Sequence, residues 1–334
     1  MRSYDFGQFL FNVDFLDETQ LADLISAAKN KKATLATKAL FLRMISLPEL
    51  TDALKNSETP VESIDEYLRS HDAESQSKYD EVIATILKQG QPARLERMKE
   101  TSSIWLIQEL IDSDMITLEK LEELLAQYHK LEMSPIEEAF ATRYESLSAA
   151  QKPDYPLALD AVKSFHEFVS QSFDSTVILL PDVDESQEKL LGATVKIRGT
   201  IPIVIGFFAA EPVFVNFAQN YNHLVETVED ATDMVSEFLN IYVGHLTIRM
   251  VETLGTEEEP ETPRFGDAEN FTGIKMIADC GEFYLYVGNE EYFETANTES
   301  AEDYSMLAGD LSQFGLEDLD LGDFDEKFKD PFDF

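Results

Sequence analysis

Five polar residues within positions 226–255, Glu226, Asp230, Asp233, Glu237 and Asn240, follow one another at spacings of four, three, four and three. At about 3.6 residues per turn, these spacings stack them in one column of a helix. Carboxylates in such a column pair with cations, and the Asn240 carboxamide both accepts and donates hydrogen bonds. The next position in the column is Gly244, a flat spot where the backbone of another protein could come close. Glycine inside a helix costs roughly 1 kcal/mol relative to alanine, so something should offset it. Apolar Met234, Val235, Phe238, Leu239, Ile241, Tyr242, Leu246 and Ile248 make up the rest of the pattern. The same column is therefore also what the solvated face of an amphipathic helix looks like.

Asp233, Glu237 and Asn240 spell D-x-x-x-E-x-x-N, and Pro263 follows after twenty-two intervening residues. This resembles the signature of the CheC/CheX/FliY chemotaxis phosphatases, D/S-x-x-x-E-x-x-N, twenty-two residues, then P. The resemblance covers roughly residues 160–293. It implies a bacterial CheX-like phosphatase that hydrolyses the aspartyl-phosphate of a CheY-type receiver, in chemotaxis or a related two-component pathway. Glu237 and Asn240 are then the catalytic pair. Asn240 fixes the attacking water, and Glu237 pairs with the receiver's lysine and orients docking. Asp233 and Gly244 help the partner dock, and Pro263 shapes the entry to the sheet. The Mg²⁺ belongs to the phosphorylated receiver; no cofactor or metal of the chain's own is expected. A sheet-mediated homodimer is one assembly the resemblance allows. Relatives of the CheC type carry a second copy of the motif on the first long helix. Here Glu167 is kept, but Lys163 and Ser170 replace the acid and the Asn, so one active face is expected. The rival reading is a non-catalytic scaffold that docks receiver domains in a signalling complex.

The elements that must position these residues follow from the chain's patterning. The 334 residues are enough for two ordinary domains. With 65 acidic against 26 basic residues, the net charge of -39 repels phosphate backbones and anionic lipid, so nucleic-acid and membrane-surface roles are not expected. A single cysteine, Cys280, rules out an intrachain disulfide and fits a reducing compartment. The start, MRSYDFGQFLF, does not read as a signal peptide, and no apolar run reaches the roughly 18 residues of a membrane span. The expected location is the cytoplasm. The five histidines show no metal-ligand spacing, and no Gly-rich phosphate loop is present.

Residues 1–148 read as an all-helical repeat domain. FGQFLFNVDFLDETQLADLI and LATKALFLRMISLPELTDAL align with Leu21 on Leu50, and IWLIQELIDSDMITLEKLEELLAQ is a looser third copy with Leu121 in register. Asp17 with Gln20 has capping-box spacing, and Ser46 and Thr117 are the expected caps of the other two units. The units resemble the helical N-terminal domains of type II secretion and pilus ATPases, some of which bind cyclic di-GMP. Asp5 and Asp14 stand where that consensus has Arg and Gly, so a protein partner is expected there and no nucleotide. Gly90 and Pro92 are expected to close a helix. Pro153 and Pro156 mark a boundary.

Residues 157–293 then order as helix, strands, helix, strands: α+β, with an antiparallel-rich sheet carrying two long helices. The acidic TEEEPETPRFGD reads as a loop, and FTGIKMIA with EFYLYVG as a hairpin. A fragment starting near Ala150 is expected to fold alone. Residues 294–334 are acidic with spaced aromatics and read as a disordered tail.

Overall fold

The computed structural model describes residues 5–57, 64, 68, 73–98, 100–146, 152–181, 189–255, 258–268 and 273–288. The expected acidic tail lies outside the described residues. Each repeat unit folds as a helix, a tight reversal and a second helix. The first is α1 (Phe6–Asn12) with α2 (Glu18–Ala28), and the second is α3 (Leu35–Phe41) with α4 (Leu47–Lys55). After α5 (Ala73–Ile86) and α6 (Gln91–Arg97), the third is α7 (Ser102–Asp112) with α8 (Leu118–Tyr128). The second helix of each unit starts on its expected cap. Asp17, Ser46 and Thr117 accept from the backbone N–H groups of Gln20, Glu49 and Lys120 at 2.8, 3.4 and 3.3 Å. Leu21, Leu50 and Leu121, in register in the sequence, are all buried.

The first helix of each unit ends in one shared way. Asp14, Arg43 and Asp114 have φ of 53°, 52° and 59°. The N–H of the next residue bonds back five positions, Phe15 to Leu10, Met44 to Ala39 and Met115 to Leu110, at 3.0, 2.9 and 3.1 Å, which is the Schellman pattern that glycine favours. An L-residue in that conformation costs roughly 1–2 kcal/mol. Arg43→Gly is therefore expected to stabilise the chain by about 1 kcal/mol, seen as a higher urea midpoint at unchanged slope. Pro92 departs from expectation. It sits in the first turn of α6, whose N-cap is Gly90 at φ 87°; proline is tolerated there because that N–H has no helical partner.

The second half comprises α9 (Pro135–Ser146), α10 (Tyr155–Ser172), β1 (Ile178–Leu179), β2 (Leu190–Gly199), β3 (Ile203–Ala209), α11 (Glu211–Tyr221), α12 (Val228–Leu254), β4 (Glu258–Pro260), β5 (Arg264–Ala268), β6 (Ile274–Ala278) and β7 (Gly281–Gly288). The strands form one antiparallel sheet in the order β1-β6-β7-β3-β2-β4, with β5 also on β2. The fold is thus α+β, with two long helices, α10 and α12, on the sheet. Alternation sends Ala193, Val195, Ile197, Ile203, Ile205, Phe207, Phe283, Leu285 and Val287 to the face covered by these helices and α11.

On the opposite face, Ile178, Leu180 and Ile277 enter the core of the helical repeats. The Gln8 side chain accepts from Leu179 N–H at 2.7 Å and donates to Leu179 C=O at 3.0 Å, so an amide side chain stands in for a neighbouring strand at the β1 edge. Asp5, at the consensus Arg position, is 3 % exposed. It accepts from Ser134 Oγ at 3.1 Å and lies 3.7 Å from His166, inside the joint between the two halves. Ile136, Ala139 and Phe140 of α9 pack with α10 in the second core, so the boundary expected near residue 148 falls after this helix. A fragment that begins at Ala150 lacks those three residues and bares the β1–β6 face.

The stretch expected as an acidic loop instead contains β4 and β5. Edge strands tolerate charge and proline, which is why they do not look like strands in the sequence. Ile197 pairs with Pro260 and Thr194 with Arg264, leaving two residues of β2 opposite three on the edge, a bulge. Pro263 sits in that bulge, where its missing N–H breaks no ladder bond. The β6–β7 hairpin turns on Asp279 and Cys280 alone, with Ala278 paired to Gly281 at φ 114°. Burial pushes the Cys280 thiol up, the neighbouring Asp279 adds to this, and Lys29 opposes it. Cys280 is expected to resist aromatic disulfide reagents at neutral pH in the native chain and to react once the chain is unfolded in urea.

Candidate functional site

The 27-residue helix α12 begins at a capping box in which Thr227 accepts from Asp230 N–H at 3.1 Å and Asp230 accepts from Thr227 N–H at 2.9 Å. The Thr227 hydroxyl, with the N–H groups of Glu226 and Thr227, donates to the Asp230 carboxylate and holds it below its usual range. The first acid of α12 in the polar column is therefore occupied in starting the helix. The helix ends at Gly255, at φ 64°. Its inward side is Ala231, Val235, Phe238, Leu239, Tyr242, Val243, Leu246 and Met250, all buried. Phe238 touches five rings, those of Phe165, Phe168, Phe173, Phe217 and Tyr221, at centroid distances of 5.0 to 6.0 Å. Tyr242 Oη donates to Ala161 C=O at 2.7 Å, and Arg249 pairs with Asp160 at 2.5 Å. These contacts fix the rotation of α12 about its axis.

That rotation turns Asp233, Glu237 and Asn240 outward on successive turns, and all three are exposed. None of the three side chains hydrogen-bonds to another described residue. Gly244 follows, and a Cβ built on it would meet nothing within 4 Å. Beyond it the same column continues with Ile248 and Val251, 58 % and 44 % exposed. By type Ile248 belongs to the apolar part of the helix pattern. Its distance of eight from Asn240 puts it on the outward face, a signal that its apolar type obscured. The outward face of α12 is thus acidic in its N-terminal half and apolar in its C-terminal half, with Asn240 and the bare Gly244 between.

One neighbour was not evident from the sequence. Tyr221, the last residue of α11, lies edge-on to Phe238 at 5.6 Å and 86°. Burial raises its phenol above the ordinary range, and the charge of Glu237 raises it further. On α10, where a second motif copy would fall, Ser170 is buried and Lys163 is 3.0 Å from Glu137. Among the described residues, no group of three or more His, Cys, Asp or Glu is placed to hold a metal ion. No described helix is long and apolar enough to cross a membrane.

No family model matches the sequence, and no curated protein matches it. Among solved structures, the chain is similar to the chemotaxis protein CheX from Desulfovibrio desulfuricans, at 17% identity and a TM-score of 0.34, over 40% of this chain and 99% of that one. It is similar to the chemotaxis protein CheX from Vibrio vulnificus, at 14% identity and 0.33, over 40% and 98%. It is also similar to a CheC-like superfamily protein from Shewanella sp. PV-4, at 15% identity and 0.32, over 41% and 99%.

Proposed function

We propose that the outward face of α12 hydrolyses the aspartyl-phosphate of a receiver-type partner, as CheX-like chemotaxis phosphatases do. The observation that carries this reading is the exposed pair Glu237 and Asn240, one turn apart and without partners among the described residues, beside a glycine with open space over it. An aspartyl-phosphate arrives with its own lysine, and its bound Mg²⁺ neutralises charge on the phosphoryl group, so what remains to be supplied is mainly position. The Asn240 carboxamide oxygen accepts a hydrogen bond from one water while its NH₂ donates toward the phosphoryl oxygen, which holds that water in line. Glu237 pairs with the receiver's lysine. Asp233, a turn earlier, aids docking, and Gly244 admits the partner's backbone. The chain is strongly acidic, so docking rests on these local matches and on the apolar end of the face.

The test incubates the full chain with each receiver of its host, phosphorylated one at a time with acetyl phosphate and freed of the reagent. At least one is expected to lose its phosphoryl group faster than alone. Acceleration of none overturns the reading, and a receiver that binds and keeps its phosphate makes the chain the non-catalytic docking scaffold instead. Gly244→Leu supplies a control. Nothing lies within 4 Å of the new Cβ, and leucine favours helix by up to about 1 kcal/mol over glycine. The variant is expected to melt no lower than wild type while binding its receiver at least tenfold more weakly.

A further inference from the structure

The apolar half of the α12 face lies at the end of the sheet where β7 finishes. Gly288, the last residue of β7, pairs with Val204 of β3, and Val204 pairs with Lys196 of β2. Lys196 C=O in turn accepts from the N–H of Glu261, the residue after β4, at 2.8 Å. At about 4.8 Å per strand, Gly288 is roughly 14 Å from this edge. α12 leads into β4 through Gly255, so its last turns, with the exposed Ile248 and Val251, stand at the same end of the sheet. Residues 289–334 follow Gly288 in the sequence. Their only cations, Lys327 and Lys329, stand among Phe324, Phe328, Phe332 and Phe334.

We propose that residues 324–334 of the same chain dock on the outward face of α12, the phenylalanines against Ile248 and Val251 and the lysines toward Asp233 and Glu237, so that the chain covers its own site until a partner displaces it. The chemistry matches at both ends of the face. Exposed aliphatic side chains meet aromatic ones, and exposed carboxylates without hydrogen bonds to described residues meet the segment's only cations. The spacing matches too. Glu237 and Ile248 are eleven residues apart on one helix, about 16 Å. Five residues of extended chain, the interval from Lys327 to Phe332 or from Lys329 to Phe334, cover about 17 Å. Reach is ample: Phe324 lies 36 positions past Gly288, and each residue can span about 3.3 Å. The tether makes the contact intramolecular, which raises its occupancy without any further interaction. Asp325, Glu326, Asp330 and Asp333 repel the acids of the face, which keeps the contact weak enough to be displaced. The docking stands on the face and the segment alone; only its competition with a phosphorylated receiver rests on the phosphatase reading.

The test uses the full chain with ¹³C-labelled isoleucine methyl groups, the Ile248 signal being identified by its loss in Ile248→Val. The combined variant Phe324→Ser, Phe328→Ser, Phe332→Ser, Phe334→Ser changes no described residue and is expected to shift that signal. A signal that coincides with wild type overturns the docking. A nitroxide on Asp330→Cys then locates the occupant, since the buried Cys280 does not compete for the reagent. The Ile248 signal is expected to broaden in the tagged chain, and a signal that stays sharp overturns the docking. Equal broadening when labelled, untagged chains are mixed with tagged, unlabelled ones assigns the face to a second copy and overturns its occupancy by the chain's own segment. With a receiver that wild type dephosphorylates, the combined serine variant is expected to lower KM about fivefold at unchanged kcat, as when a face covered about four-fifths of the time is opened. An unchanged KM overturns the competition. Should wild type act on no receiver, the phosphatase reading fails while the Ile248 signal still decides the docking.

Discussion

Asn240→Ala is expected to bind a phosphorylated receiver within about twofold of wild type and to lose at least about a hundredfold in the rate of phosphate release. A hundredfold corresponds to about 2.7 kcal/mol, which the placement of a single water can supply. The side chain is exposed and has no hydrogen bond to another described residue, so its removal should leave the fold alone. Single-turnover decay of the phosphorylated receiver at saturating chain reads the rate, and a binding titration with a beryllofluoride-loaded receiver reads affinity. Decay as fast as with wild type would show that Asn240 does not hold the water. Glu237→Ala is expected to weaken association as well as rate, because the ion pair it would make exists before the chemistry as well as during it.

Phe238→Ala is expected to cost about 3–5 kcal/mol of stability, a large part of what a domain has. Phe238 is fully buried. Its five ring neighbours come from α10, from α11 and from Phe173 just beyond α10. Truncation opens a cavity that three elements must close together, and their own side chains block the collapse. A lower urea midpoint at unchanged slope checks the expectation; a cost below about 1 kcal/mol would mean that α10 and α11 close over the gap, contrary to how tightly they are held.

The helix that carries the candidate site was legible because its period is about 3.6 and its polar residues fall on one side of it. The three caps were legible because Asp17, Ser46 and Thr117 each precede a buried leucine at the same spacing. The β4–β5 edge was not. Its residues are mostly acid, proline and threonine, and a strand with one open side has no need of alternation. The type of Ile248 hid its outward place; only the phase of the column tells it. The links between the halves left no local trace. Gln8 meets Leu179 across 171 positions, and Lys29 meets Asp279 across 250. A polar residue that satisfies a distant backbone looks in sequence like any other surface residue. Tyr221 was missed for the same reason, standing at the end of a short helix whose pattern says nothing of Glu237.

The Gln8 contact also bears on the order in which a ribosome would deliver this fold. α1 packs chiefly on α9 and α2 chiefly on α7, so the first unit closes on partners made well after it. Leu179 appears 171 residues after Gln8, and at 5–20 residues per second that is a wait of about ten to thirty seconds. Through that interval the side of α1 that will meet β1 stays uncovered. Gly7 lies on it, where a methyl group would fall 2.5 Å from Thr176 Cγ2, and so does the Gln8 amide. α1 thus offers one wall of a socket whose strand is made much later. The two-residue β1 completes it in the native chain, held by α1 on one side and β6 on the other.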